Sequence, residues 1–171
     1  RQMLESELEQ KVSSDIYSAT VQALAEVTDS RPALAANAAA QLAALLQTQP
    51  DTIRVSLVAG LAGIAVASPT TAQPIADRLI GLRDDGNSEV RAAVASALAK
   101  VGAANSTTLP AVIDTLIALL ADKDSGISTG AANALKDLVV AKPTSAPQII
   151  DTLALRLSSQ DQRLRYFGLG A

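Results

Sequence analysis

Apolar positions recur along this chain with a period of 37 residues. Ile16, Ile53, Val90, Ile127 and Leu164 form one column. Leu24, Leu61, Leu98 and Leu135 stand eight positions later, and Val27, Ile64, Val101 and Leu138 eleven positions later. A second set keeps the same register: Leu42, Leu79, Leu116 and Leu153, with Leu8, Leu45, Leu82 and Leu119. Within one unit, Val90, Val94, Leu98 and Val101 fall on a single helical face at about 100° per residue. The spacing predicts an amphipathic helix over 87–101, termed helix B, and the second set predicts a helix A upstream of it in each unit. Pro32, Pro69 and Pro143 share a column interrupted by Ser106, and Pro110 and Pro147 share another. Proline near a helix start costs no hydrogen bond. Asp84-Asp85-Gly86-Asn87, Asp122-Lys123-Asp124-Ser125 and Ser158-Ser159-Gln160-Asp161 link A to B and offer Asp or Asn as helix caps.

One helical hairpin cannot bury its own apolar stripe, whereas stacked neighbours bury it between them. The expectation is an all-α fold, a right-handed α-α superhelix of about 4–5 hairpins. No insertion or deletion is needed to divide residues 1–171 into a single array with units at 1–34 (partial), 35–71, 72–108, 109–145 and 146–171 (partial). The first unit opens inside a helix A and the last stops inside a helix B, as expected of a piece of a longer solenoid. Gly60 and Gly130 fall on the expected buried side of helix B, where a close helix approach would offset the weakening of about 1 kcal/mol that glycine brings to a helix interior.

Composition narrows the chemistry. Hydrophobic residues make up 49% of the chain but aromatics only 2%, so the core is built from Ala, Leu, Val and Ile, which suit close helix packing. Cys and His are both absent. Disulfides, Cys/His metal sites and His-based catalytic triads are thereby excluded. The acid pairs Asp84-Asp85 and Asp122/Asp124 read as helix caps, because a calcium loop needs more oxygen ligands at set spacing. Gly60-Leu61-Ala62-Gly63 lies mid-helix and lacks the strand and lysine of a phosphate loop. No enzyme activity, metal or cofactor is expected. The net charge of −3 lacks the basic excess of a phosphate-gripping protein, which disfavours nucleic acid as a partner. No apolar run reaches the roughly 18–20 residues needed to cross a bilayer, and residues 1–11 lack an apolar signal core, so a cytoplasmic protein without membrane insertion is expected.

Glu89-Val90-Arg91-Ala92-Ala93-Val94, followed by Ala97-Leu98 and preceded by an acidic turn, resembles the HEAT repeat of the armadillo/HEAT-type solenoids, including its phycobilisome-lyase-type variants. Thr52-Ile53-Arg54-Val55 and Arg163-Leu164-Arg165 are eroded versions, and Ile127-Ser128 lacks the arginine. The tetratricopeptide period of about 34 with aromatic signatures and the ankyrin period of about 33 fit less well. The resemblance implies an inter-repeat ladder in which an Asp of the A–B turn meets the Arg of helix B. Asp85 and Arg91 match both positions, Asp122 matches the acid alone, and Arg54 and Arg165 lack the acid. It also implies that the outer face of helix B lines a concave surface. Positions two, six and nine after the ridge residue supply that face: Ser18, Gln22 and Ala25; Val55, Ala59 and Ala62; Ala92, Ser96 and Ala99; Thr129, Asn133 and Lys136. Such a small, nearly uncharged surface lets a partner helix or extended peptide approach the backbone. The function expected is a non-catalytic protein-interaction or scaffolding module with a protein or peptide partner. The alternatives are a nucleic-acid-binding helical-repeat protein of the DNA-glycosylase type and a regulatory appendage of a larger enzyme or signalling protein.

Overall fold

A computed structural model describes residues 31–155, together with 15, 16, 19, 20, 23 and 24, which are helical. Three long helices carry the B pattern: α2 (Asp51–Ala67), α4 (Ser88–Ala104) and α6 (Ser125–Ala141), each of 17 residues. Their first residues stand one sequence period apart, and so do their last. The A helices are shorter: α1 (Pro32–Leu45), α3 (Ala72–Ile80) and α5 (Leu109–Leu119). Residues 146–155 are helical as well and begin the next A position.

The local chemistry of each helix end repeats with variations. Asn87 caps α4, its side chain accepting from the N–H groups of Glu89 and Val90 at 2.8 and 3.1 Å. Asp124 caps α6, accepting from the Gly126 N–H at 2.8 Å. Helix α2 has no side-chain cap but places Asp51 in its first turn, against the positive end of the helix dipole. At the far end, Ser68 and Lys142 precede Pro69 and Pro143 and turn to an extended backbone, because proline crowds the helical conformation of its predecessor. Asn105 adopts the same conformation where Ser106 replaces the proline. Its side chain accepts from the Thr107 N–H at 2.9 Å and so closes the turn without proline's ring. In all three turns a buried hydroxyl donates to the carbonyl three residues back: Thr71 to Ser68, Thr108 to Asn105 and Ser145 to Lys142, at 2.8, 3.0 and 2.7 Å.

The ridges meet between units. Ile53, Leu57, Leu61 and Ile64 of α2 are buried, as are Val90, Val94, Leu98 and Val101 of α4 and Ile127, Ala131, Leu135 and Leu138 of α6. Helices A add Leu42, Leu79 and Leu116 to the same core cluster. Each fully buried leucine contributes about 1.5–3 kcal/mol by leaving water. Helix α2 packs along α4, and α4 along α6, over much of their length, whereas successive A helices touch at only a few residues.

Two expectations about small residues change. Ala62 and Ala99 are buried, not exposed. Each B helix is flanked by another B helix, so the contact reaches further round than a single ridge predicts. Gly60 is buried, but Gly130 is half-buried at the edge of the ridge, and a β-carbon added there would meet nothing within 4 Å. Close approach occurs instead at Gly102, where a β-carbon would lie 3.0 Å from Cγ1 of Val112.

Candidate binding face and inter-unit clamps

The B helices carry two shallow grooves on their exposed side, jointly termed the trough. Between α2 and α4, a groove of about 470 Å³ is lined by Ala59, Ala62, Gly63, Val66, Ala67 and Lys100. Between α4 and α6, a second groove of about 310 Å³ is lined by Ala92, Ser96, Ala99, Lys100, Ala103, Gly130, Asn133, Ala134, Asp137 and Ala141. Lys100 borders both. Among the residues expected on this face, Ala59, Ala92, Ser96, Thr129, Asn133 and Lys136 are exposed and Val55 is half-buried. The structure gathers Ala59, Ala92, Ser96 and Asn133 into the grooves. Val55, Thr129 and Lys136 do not line them. Ser18 and Gln22 lie outside the described residues. Val66, Lys100, Ala103 and Asp137 join the trough without having been expected. They lie ten and thirteen positions after the ridge residue, so one further turn of the same period would have found them.

The charged residues sit at the rim, in the A–B turns. Arg54 of α2 reaches forward to the next unit, donating to both carboxylate oxygens of Asp85 at 2.5 and 3.2 Å. It also pairs with Asp51 one turn back, whose second oxygen accepts from Asn87 Nδ2 at 2.8 Å. Arg91 of α4 repeats the reach, meeting Asp122 through Nε and Nη2 at 2.8 and 3.1 Å. Its Nη1 donates to the backbone carbonyl of Asp85 at 2.7 Å. The pairing therefore differs from the one the spacing implied. Asp85 and Arg91 share a unit, but only the Asp85 carbonyl meets Arg91. The carboxylate of Asp85 faces the preceding unit, and that of Asp122 does likewise. Arg54 does not lack an acid, and Asp122 does not lack a base, because each partner lies 31 residues away in the neighbouring unit. Arg165 lies outside the described residues. At the position after Arg54 and Arg91, Ser128 turns inward and donates to the Leu120 carbonyl at 2.6 Å.

Each carboxylate is doubly held. One oxygen of Asp85 accepts from the Asn87 N–H and one oxygen of Asp122 from the Asp124 N–H, both at 2.9 Å. Arg54 and then Asn87 hold the Asp51 carboxyl below its ordinary value. Arg91 and the Asp124 N–H do the same for Asp122. Burial pushes Asp85 up, but the bonds from Arg54 and from the Asn87 N–H outweigh it and leave the group lowered. The acids and bases of the turns are thus used in joining hairpins. Among the described residues, no group of three or more Asp or Glu side chains is placed to hold a metal ion. Nor, among those residues, is any helix long and apolar enough to cross a membrane.

The pattern of the family described as HEAT repeats matches residues 38–136 and again 75–166. No curated protein and no solved structure matches the chain. The two overlapping matches span the hairpins, clamps and trough just described, and they cover most of the sequence: the chain belongs to the HEAT-repeat family.

Proposed function

We propose that this segment is a non-catalytic interaction module whose exposed B-helix face receives a helix or an extended peptide. The observation that carries the reading is the trough itself. It consists of two adjacent grooves that share Lys100, one between α2 and α4 and one between α4 and α6, lined largely by alanine and glycine, so a partner backbone could lie close to the helices. Exposed Val66 and Val140 stand in the same column on this side and add apolar surface for such a partner. Asp51, Arg54, Asp85, Arg91, Asp122 and Asp124 are engaged in capping and clamping, which supports a non-catalytic reading.

The test is a pull-down from lysate of the source organism, with and without nuclease, using the chain beside an Ala59→Glu/Ser96→Glu variant. Both positions are exposed and line the grooves, so the charges should leave the fold intact. Val55 is half-buried and unsuited. Circular dichroism establishes equal helix content first. A protein partner retained by the parent after nuclease and lost by the variant supports the reading. Equal capture by both chains places binding elsewhere, and capture abolished by nuclease favours a nucleic-acid partner.

A further inference from the structure

The apolar ridge is not the only link between hairpins. Each described joint is also tied at both edges. At the joint of α2 with α4, the A–B edge carries Arg54–Asp85 and Asn87–Asp51. The opposite edge carries Asn105 Nδ2 donating to the Pro69 carbonyl at 3.3 Å. At the joint of α4 with α6, the edges carry Arg91–Asp122 and Lys142 Nζ donating to Ser106 Oγ at 2.5 Å. The arginine pairs are largely hidden from solvent, with side-chain exposures of 16% and 11% for Arg54 and Asp85 and 5% and 10% for Arg91 and Asp122. The pair Arg83–Asp84 is 47% and 82% exposed and stays within one turn. Shielded forks are directional and weakly screened by salt, unlike exposed pairs.

The arginine–aspartate pair is not repeated in the sequence of the flanking units. In the column of Arg54 and Arg91 the flanking units hold Tyr17 and Ser128, and in the column of Asp85 and Asp122 they hold Thr48 and Ser159, so donor and acceptor are missing together. Thr48 donates to the Leu45 carbonyl of its own turn, and Ser128 to the Leu120 carbonyl of its own hairpin. Ser68, in the column of Asn105 and Lys142, bonds Thr70 of its own turn.

An interface of Ala, Leu and Val is non-directional, and helix crossing angles scatter by about 15–20° for similar packings. Three ties at the first joint and two at the second, spread over both ends of the 17-residue helices, remove that freedom. We infer that the edge clamps, rather than the apolar ridge, set the spacing of α2, α4 and α6, and make residues 31–145 one rigid block whose trough has a preformed width. The inference stands whether or not a peptide binds there.

The chain has no cysteine, so Ala59→Cys/Asn133→Cys places one spin label on α2 and one on α6, both at exposed positions. Double electron–electron resonance then reads the distribution of distances across the trough. The parent should give one narrow distribution. Neutralising the forks with Arg54→Met/Asp85→Asn and Arg91→Met/Asp122→Asn leaves residues 85 and 122 able to accept from the Asn87 and Asp124 N–H groups. It should broaden the distribution by helix shifts of about 1–2 Å, while Arg83→Gln/Asp84→Asn leaves it unchanged. Should the fork variant lose helix content, Lys142→Ala removes the bond to Ser106 at the opposite edge and leaves the turns intact, and it should still broaden the distribution. A broad distribution in the parent overturns the inference. So does a narrow one in every folded clamp variant, which would assign the spacing to the ridge.

Discussion

A β-carbon added to Gly102 would lie 3.0 Å from Cγ1 and 3.3 Å from Cβ of Val112, which is fully buried and β-branched and would have to shift to admit it. At Gly130, also inside a B helix, the added carbon would meet nothing. Two glycines of the same helical pattern therefore predict opposite signs. Gly130→Ala should stabilise by about 0.5–1 kcal/mol through helix propensity and the restricted unfolded chain. Gly102→Ala gains the same propensity of about 1 kcal/mol but pays an overpacking cost of about 1–3 kcal/mol, so it should destabilise by about 1 kcal/mol net. Urea denaturation of the two single variants checks both, and a shift of the same sign at the two sites would refute the packing argument. The sequence does not separate these glycines. Gly102 lies twelve positions after its ridge residue and Gly130 three, and either could face a neighbour. What distinguishes them is the approach of α5 to α4, which brings Val112 and Leu109 against Gly102 and leaves Gly130 facing the trough.

At the scale of the helices and their joints, the clamps link stability to pH. Asp51, Asp85 and Asp122 are all held below the ordinary carboxylate value in the folded chain. As pH falls, the unfolded chain takes up these protons before the folded chain does. The clamps' contribution is therefore fully present above the unfolded carboxylate pKa of about 4 and is lost as pH drops through the lowered folded values. Urea midpoints of the parent should fall steeply between about pH 5 and pH 2. Those of the Arg54→Met/Asp85→Asn and Arg91→Met/Asp122→Asn chain should fall less, and parallel slopes would show that other carboxylates carry the acid response. The helices themselves are legible in the sequence: the caps Asn87 and Asp124 mark the starts of α4 and α6, although the expected end of helix B at Val101 falls three residues short of Ala104. The pairing of the clamps is not, because the sixfold separation of Asp85 and Arg91 within a unit is more conspicuous than the 31-residue reach that links Arg54 with Asp85. Arginine's length lets it cross a joint, and only the stacking of the hairpins decides which neighbour it crosses to. The trough was half legible for a related reason. Ala62 and Ala99 are claimed by neighbouring B helices, while Lys100 lies off the face centre and enters through the grooves on both sides of α4.

For the whole molecule, the strict period predicts that a unit can be removed without breaking the fold. Deleting residues 72–108 joins Thr71 to Leu109, where Thr108 stood. Thr71 and Thr108 are equivalent: both are buried, and both donate to the carbonyl three residues back. The ridge of α2 would then meet that of α6, and Arg54 would face Asp122 in place of Asp85, one column for another. Three sites are mismatched: Asp51 loses the amide of Asn87 and gains the carboxylate of Asp124, Lys142 loses the Ser106 hydroxyl, and Ala65 brings a β-carbon against Val112 where Gly102 stood. Since each unit contacts only its neighbours, stability should fall by one unit and one interface while cooperativity survives. Thermal melts followed by circular dichroism should show a sharp transition with the parent's helicity per residue and a lower midpoint. Adding Asp124→Asn, which keeps the helix cap and restores an amide opposite Asp51, should raise that midpoint. Deleting 60–94 instead fuses α2 to α4 two positions out of phase within one helix, turning the second half of the ridge by about 200° away from the first, and should abolish the sharp transition. If both deletions melt alike, the repeat units are not interchangeable parts, and the equivalence of the two threonine turns is only geometric.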